Sequence, residues 1–157
     1  NGMFPGISSS LGFGHIEVGT VTPLPQPGNP KPRLFRYPEE KALVNRMGFN
    51  NFGAKAVVER LARYNPIGSR VSPIGINIGK GKNTLPEKAI NDYLIGFETV
   101  VEQADYITIN ISSPNTPGLR LLHQKSFLEP LLRSLHELNH KIAKARKSKP
   151  VPSLLKI

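Results

Sequence analysis

Apolar residues recur at helical spacing in two long stretches of the chain. Ile90, Tyr93, Leu94, Phe97, Val100 and Val101 form one stripe, behind Thr84-Leu85-Pro86-Glu87. A Thr followed three residues later by Glu is the capping-box pattern, and Pro just inside suits a helix start. Leu128, Leu131, Leu132, Leu135, Leu138 and Ile142 form the second stripe, behind Ser126-Phe127-Leu128-Glu129. That segment reads as a second capping box, with Pro130 shifting the start slightly. A third helix is predicted over residues 52–64, capped by Asn50 or Asn51 and ended by Asn65-Pro66. Between the helices lie β-rich runs at Ile16–Val21, Ile74–Ile78, 106–111 and 154–157. They are apolar with little clean alternation, as expected of parallel strands buried on both faces.

Strands alternating with helices indicate βαβ units and an α/β fold. Each predicted strand ends in a polar or glycine-rich loop: Gly19-Thr20, Asn77 to Lys80, and Asn110 to Asn115. In such folds the chemistry gathers at the carboxyl ends of the strands. Four strands and three helices make about half of a (β/α)8 TIM barrel, which takes roughly 250 residues. The expectation is therefore part of such a barrel, about strands 2–5, truncated at both ends, since no Met opens the chain and Lys156-Ile157 ends it inside a strand. Residues 23–38 hold six of the fifteen prolines. That is too many for a core strand, and the stretch reads as an ordered excursion over the barrel top. No internal repeat or domain boundary divides residues 1–157.

Composition narrows the functional classes. Cysteine is absent, which excludes disulfides, thiolate nucleophiles and Cys-based zinc sites. No run of apolar residues is long enough to span a membrane, and Asn1 opens no signal peptide. The net charge of +10 suits nucleic acid, an anionic small molecule or an acidic membrane surface. Its densest group, residues 141–149, reads most simply as a solvated helix end, where cations are favoured.

The segment Asn110-Ile111-Ser112-Ser113-Pro114-Asn115-Thr116-Pro117-Gly118-Leu119-Arg120 is the most informative. It places two Asn side chains and two hydroxyls directly after a strand, and Asn can meet an imide or amide edge with both donor and acceptor. Composition alone allows a plain Asx- and Ser-rich turn. Asn-Ile-Ser also fits a glycosylation acceptor, without a secretory signal to support it.

This segment resembles the catalytic loop of the class 2, quinone-dependent dihydroorotate dehydrogenases. Further segments match that family in order: Gly12-Phe13-Gly14 with Glu17-Val18-Gly19-Thr20-Val21-Thr22-Pro23, then Gly28-Asn29-Pro30-Lys31-Pro32-Arg33-Leu34-Phe35-Arg36. Asn45-Arg46-Met47-Gly48-Phe49-Asn50, Gly75-Ile76-Asn77-Ile78-Gly79-Lys80 and Leu155-Lys156-Ile157 follow. The resemblance implies FMN-dependent oxidation of dihydroorotate to orotate in pyrimidine (UMP) biosynthesis. A hydride leaves substrate C6 for the flavin while a protein base takes the C5 proton. By resemblance the base is Ser113, where other classes of the family use Cys, and Thr116 is a candidate partner in its proton path. Asn45, Gly48, Phe49, Asn110 and Asn115 resemble the orotate clamp, with Arg46 and Met47 in the same loop. Thr20, Asn77, Asn110 and Lys156 resemble FMN contacts, and Arg36 a residue near the quinone tunnel. The family also has a Lys falling immediately before Asn1, flavin-phosphate loops on later strands and an N-terminal helical pair that docks on the membrane. Without these the 157-residue chain is expected to be inactive alone. The implied location is peripheral, at the cytoplasmic face of a bacterial cell membrane or, in a eukaryote, the mitochondrial inner membrane.

Two other readings compete. His136-Glu137-Leu138-Asn139-His140 satisfies the H-E-x-x-H pattern of zinc proteases, but both His point nearly opposite the leucine stripe and no third ligand is evident. A basic nucleic-acid-binding domain would use Gly79-Lys80-Gly81-Lys82 as a phosphate loop and residues 141–149 as a patch. It lacks interleaved aromatics.

Overall fold

The computed structural model describes residues 12–157; Asn1, on which part of the expected truncation rests, lies outside the described residues. Four strands form one parallel sheet in the order β1 (Ile16–Val21), β4 (Ile74–Ile78), β5 (Tyr106–Asn110) and β6 (Ser153–Lys156). The helices between them are α1 (Ala54–Tyr64), α2 (Ala89–Val100) and α3 (Lys125–Ala145). Three helices and four parallel strands arise as the patterns predict, in sequential order across the sheet. Among the described residues no helix is long and apolar enough to cross a membrane.

β4 and β5 are buried on both faces, as read, but their side chains alternate in chemistry. Ile74, Ile76 and Ile78 on β4, with Ile107 and Ile109 on β5, pack with Val57 and Leu61 of α1, Phe97 and Val100 of α2, and Leu131 and Leu135 of α3. Full burial of such a side chain contributes about 1.5–3 kcal/mol, so this layer holds the helices on the sheet. On the opposite face the intervening Asn77 and Thr108 both donate to the Glu17 carboxylate of β1. Asn and Thr are small and uncharged, and β4 and β5 are almost wholly buried. Counting them as interruptions in an apolar run hid the period of two.

Both predicted capping boxes are replaced by other contacts. Thr84 Oγ1 donates to Asp92 Oδ2 at 2.6 Å instead of capping a backbone amide, a charge-assisted bond that outcompetes the neutral cap. A 3₁₀ turn, Pro86–Lys88, then precedes α2. Ser126 and Pro130 lie inside α3, and Glu129 Oε1 accepts from Arg133 Nη2 at 2.8 Å rather than reaching back. Asn51 does act before α1, although two positions ahead of the N-cap Gly53. Its Oδ1 accepts from the backbone N–H of Gly53 (2.8 Å) and of Thr22 (3.2 Å).

The proline-rich stretch contains a strand that the sequence reading left out. β2 (Leu34–Tyr37) pairs antiparallel with β3 (Ala42–Asn45) in a hairpin separate from the main sheet. Proline density rightly excluded a core strand, while a solvent-facing hairpin needs only residues 34–37 free of proline. In the last turns of α3 and just past it, the basic residues at 141, 144, 146, 147 and 149 are exposed, as the simpler reading of that cluster has it.

Candidate functional site

Three neighbouring strands deliver polar side chains to one mouth at their carboxyl ends. Thr20 and Asn77 stand next to last on β1 and β4, and Asn110 ends β5; all three are buried. Thr20 Oγ1 donates to Asn77 Oδ1 at 2.6 Å, and Asn110 Nδ2 donates to Thr20 Oγ1 at 2.9 Å. Ser112 donates from both its backbone N–H and its hydroxyl to Asn110 Oδ1, each at 3.1 Å. Lys156 is the in-register neighbour of Asn110 on β6, on the edge of the same mouth. Thus the four residues expected at the flavin come together from four different strands.

The loop from Asn45 to Asn50 is tied down over this mouth. Gln26 Nε2 donates to Gly48 O and the Asn29 N–H to Met47 O, both at 3.0 Å. Gly48 has φ 69°, and a β-carbon there would lie 2.7 Å from Asn29 Cγ. Only glycine meets both demands. A β-carbon at Gly79 would stand 2.8 Å from Thr20 Cγ2 and 3.2 Å from Phe49 Cε2. Glycine there lets the Phe49 ring and Thr20 close over the end of β4.

The catalytic-loop candidates follow β5 directly. Ser113 Oγ accepts from the Asn115 N–H at 3.2 Å, and Asn115 Nδ2 reaches Asn45 O at 3.4 Å. Asn29 Nδ2 spans from Arg46 O (3.0 Å) to Asn115 O (3.5 Å), joining the excursion to both loops. Thr116 Oγ1 is buried and, among the described residues, without a hydrogen-bond partner. The Arg46 guanidinium turns toward the excursion, donating to Pro32 O at 3.0 and 2.9 Å and lying over the Phe35 ring. Met47 is exposed, and Arg36 lies on β2, away from the strand ends.

Sequence reasoning missed the residues behind this first layer. Tyr93, fully buried on α2, donates from its hydroxyl to Asn110 O at 2.7 Å. It therefore ties α2 to the end of β5, and burial raises its phenol well above the ordinary range, with the nearby Lys80 backbone partly opposing. The helical stripe marked Tyr93 as core, and nothing in the spacing announces its hydroxyl partner. Lys80 is also fully buried, its ammonium donating to Thr84 O (2.9 Å) and Gly81 O (3.2 Å). Burial lowers its pKa, partly opposed by Asp92. Its ammonium is bound within its own loop, so the loop of residues 79–82 is not the phosphate cradle that the nucleic-acid reading required.

His136 and His140 are exposed on α3 with ring centroids 4.2 Å apart, and no group of three or more metal-ligating side chains occurs among the described residues. Asn139 between them faces inward, its amide exchanging hydrogen bonds with Val151 N–H and O at 3.0 and 2.8 Å. The H-E-x-x-H match is thus a helix surface plus one structural amide.

Known proteins bear on this geometry. The family profile described as dihydroorotate dehydrogenase matches residues 6–156. A dihydroorotate dehydrogenase (quinone) of Acidithiobacillus ferrooxidans is 51% identical over 150 residues, covering 94% of this chain and 40% of the relative. One from Roseiflexus castenholzii is 56% identical over 130 residues, covering 83% and 35%. A crystal structure of Eimeria tenella DHODH in complex with ferulenol superposes with a TM-score of 0.80 at 39% identity, over 94% of this chain and 43% of that one. The chain thus spans about two fifths of the length of these proteins, as part of the same barrel. The profile covers nearly all of its residues, and on that ground the chain belongs to the dihydroorotate dehydrogenase family.

Proposed function

We propose that the protein carrying this chain oxidises dihydroorotate to orotate with FMN as cofactor and a membrane quinone as final electron acceptor. In this reading residues 1–157 form the central portion of the barrel, with residues 23–38 laid over its top. The chain supplies the base and one wall of the site. The observation that carries the reading is the hydrogen-bonded run Asn77–Thr20–Asn110–Ser112 across three strand ends, with Ser113 next in the chain.

The mouth suits a flat heterocycle with several acceptor atoms. Asn77 Nδ2 and Asn110 Nδ2 each carry two hydrogens and each has one partner among the described residues. Each therefore keeps an N–H for a ligand carbonyl. Thr20, Asn77, Asn110 and Lys156 would hold FMN, and the Lys156 charge would stabilise negative charge on its reduced pyrimidine ring. When bound, FMN supplies the two-electron acceptor for the hydride leaving substrate C6.

The chain's own residues handle the proton. The C5–H bond breaks toward Ser113 Oγ, and its electron pair forms the C5–C6 double bond as the hydride departs. A serine hydroxyl must lose its own proton to act as a base. The Asn115 N–H on Ser113 Oγ favours the anionic form. The unpartnered Thr116 Oγ1, three residues on, is the next carrier toward water. Asn45, Gly48, Asn110 and Asn115 surround the polar edge of the substrate, and Phe49 gives it an apolar wall. Arg46 and Met47 serve by holding that loop in place. The exposed Leu34 and Leu43 share one face of the hairpin with Arg36, which suits a quinone and a bilayer edge, while Tyr37 and Val44 are exposed on the other face. The bacterial relatives favour peripheral attachment at the cytoplasmic face of the cell membrane.

The test is anaerobic addition of dihydroorotate to the full-length flavoprotein. Rapid bleaching of the visible flavin band is expected, slowed by roughly 10²–10⁴-fold in Ser113→Ala. A flavin that ignores dihydroorotate, or a variant that bleaches at the wild-type rate, would contradict the proposal.

A further inference from the structure

Below the residues of the mouth lies a carboxylate that the functional reading does not use. Glu17, on β1, accepts from Asn77 Nδ2 through Oε1 at 2.8 Å and from Thr108 Oγ1 through Oε2 at 2.6 Å. Its side chain lies on the inner, polar face of the sheet and takes no part in the apolar layer beneath the helices. Parallel register sets Asn77 beside Thr108, and Glu17 enters from one strand over.

The chemistry of the groups fixes a direction through the whole run. A carboxylate only accepts, so Asn77 must turn its NH₂ toward Glu17 and its carbonyl toward Thr20. Thr20 has one hydroxyl proton, which goes to Asn77 Oδ1 at 2.6 Å. Its oxygen is then left to accept from Asn110 Nδ2 at 2.9 Å. Asn110 Oδ1 consequently faces Ser112, whose N–H and hydroxyl it receives. If Asn77 flipped, its carbonyl would oppose the carboxylate, and every later bond would have to reverse or break. An amide can face either way at little intrinsic cost, so the orientation has to be imposed by a partner.

We propose that Glu17 is a positioning residue that sets the polarity of the Asn77–Thr20–Asn110 run, so that the mouth presents N–H donors to FMN. The inference rests on the functional reading above for the identity of the ligand. Glu17 itself touches neither ligand nor reacting atoms. It acts through Asn77, three hydrogen bonds away from Ser112.

The experiment is FMN affinity of the full-length protein, read by recovery of flavin fluorescence on dilution, with the visible spectrum and melting temperature alongside. Glu17→Met keeps the bulk and removes the acceptor. It is expected to weaken FMN binding about 10-fold and shift the flavin band, while melting changes by only a few degrees. Glu17→Gln is expected to stay within about 3-fold of wild type. Its carbonyl can still accept from Asn77, and the Thr108 hydroxyl can turn to accept from its NH₂. Wild-type affinity and spectrum in Glu17→Met would overturn the proposal, as would equal losses in both variants.

A double-mutant cycle covers the case in which Glu17→Met does not fold. Asn77→Asp sets carboxylate against carboxylate and should weaken FMN binding. Adding Glu17→Gln gives the new carboxylate a donor and should restore affinity by about 10-fold over Asn77→Asp alone. No restoration would overturn the pairing. Dihydroorotate bleaching in the wild type separates the two claims. Flavin that binds but is not reduced contradicts the function, while the comparison of affinities still decides the role of Glu17.

Discussion

The two faces of the same strands obey opposite rules. On β4, Ile74, Ile76 and Ile78 are buried against the helices, while Asn77 between them hydrogen-bonds to Glu17 and Thr20. On β5, Ile107 and Ile109 join the apolar layer, while Thr108 and Asn110 join the polar run. Neighbours in sequence thus answer to different demands, one to cohesion of the layers and the next to the hydrogen-bonded run that ends at the mouth. A barrel can keep its outer packing constant while its inner positions change chemistry, because the pleat separates them physically.

Breaking the outer face should cost stability most. Ile107 is fully buried in the apolar layer. Ile107→Ala is expected to destabilise the full-length protein by about 2–5 kcal/mol in denaturant unfolding, through lost transfer energy and the cavity left behind. A loss below about 1 kcal/mol would mean that the layer is not packed as described.

Tyr93 joins the two faces, since its ring is core and its hydroxyl holds the mouth. Tyr93→Phe leaves Asn110 O without that partner and should cost about 1–3 kcal/mol. The pH dependence sharpens the point. The folded phenol titrates above its ordinary value, so near neutral pH its contribution is complete. As pH climbs past about 10 the unfolded tyrosine gives up its proton while the folded one keeps it, and stability falls. The gap between wild type and Tyr93→Phe should therefore narrow at alkaline pH in parallel urea titrations. A constant gap would argue against the buried hydroxyl.

The smallest effect is expected on the outer surface of α3. Replacing His136 and His140 together with Ala should change stability by no more than about 0.5 kcal/mol. Dihydroorotate-driven flavin bleaching should be unaltered, and zinc should make no difference. Zinc-dependent peptide cleavage lost in that variant would revive the protease reading.

The contrast also explains what could be read in advance. The order of strands and helices followed from apolar spacing, because burial dominates those positions. Thr20, Asn77 and Asn110 stood in the polar strand-end loops that the pattern picked out, but a flavin role for them was legible only by resemblance, since an Asn at a strand end is equally at home in a turn. Glu17 stood only within a quoted family segment and Tyr93 only in an apolar stripe, neither with a role. Their importance lies in partners 60 and 17 residues away in sequence, and no local spacing encodes such pairs. The hairpin strand Leu34–Tyr37 was masked by the prolines before it, and the capping boxes failed where Asp92 and Arg133 offered stronger partners.

The most direct test of the division between faces compares two adjacent residues on one strand, Ile76→Ala and Asn77→Ala. Unfolding free energy and FMN dissociation constant would be measured for both in the full-length protein. Ile76→Ala should lose about 2–5 kcal/mol of stability with FMN affinity of the folded protein nearly unchanged. Asn77→Ala should keep stability within about 1.5 kcal/mol while FMN binding weakens about 10-fold or more. Stability and affinity falling together in both variants would contradict the account.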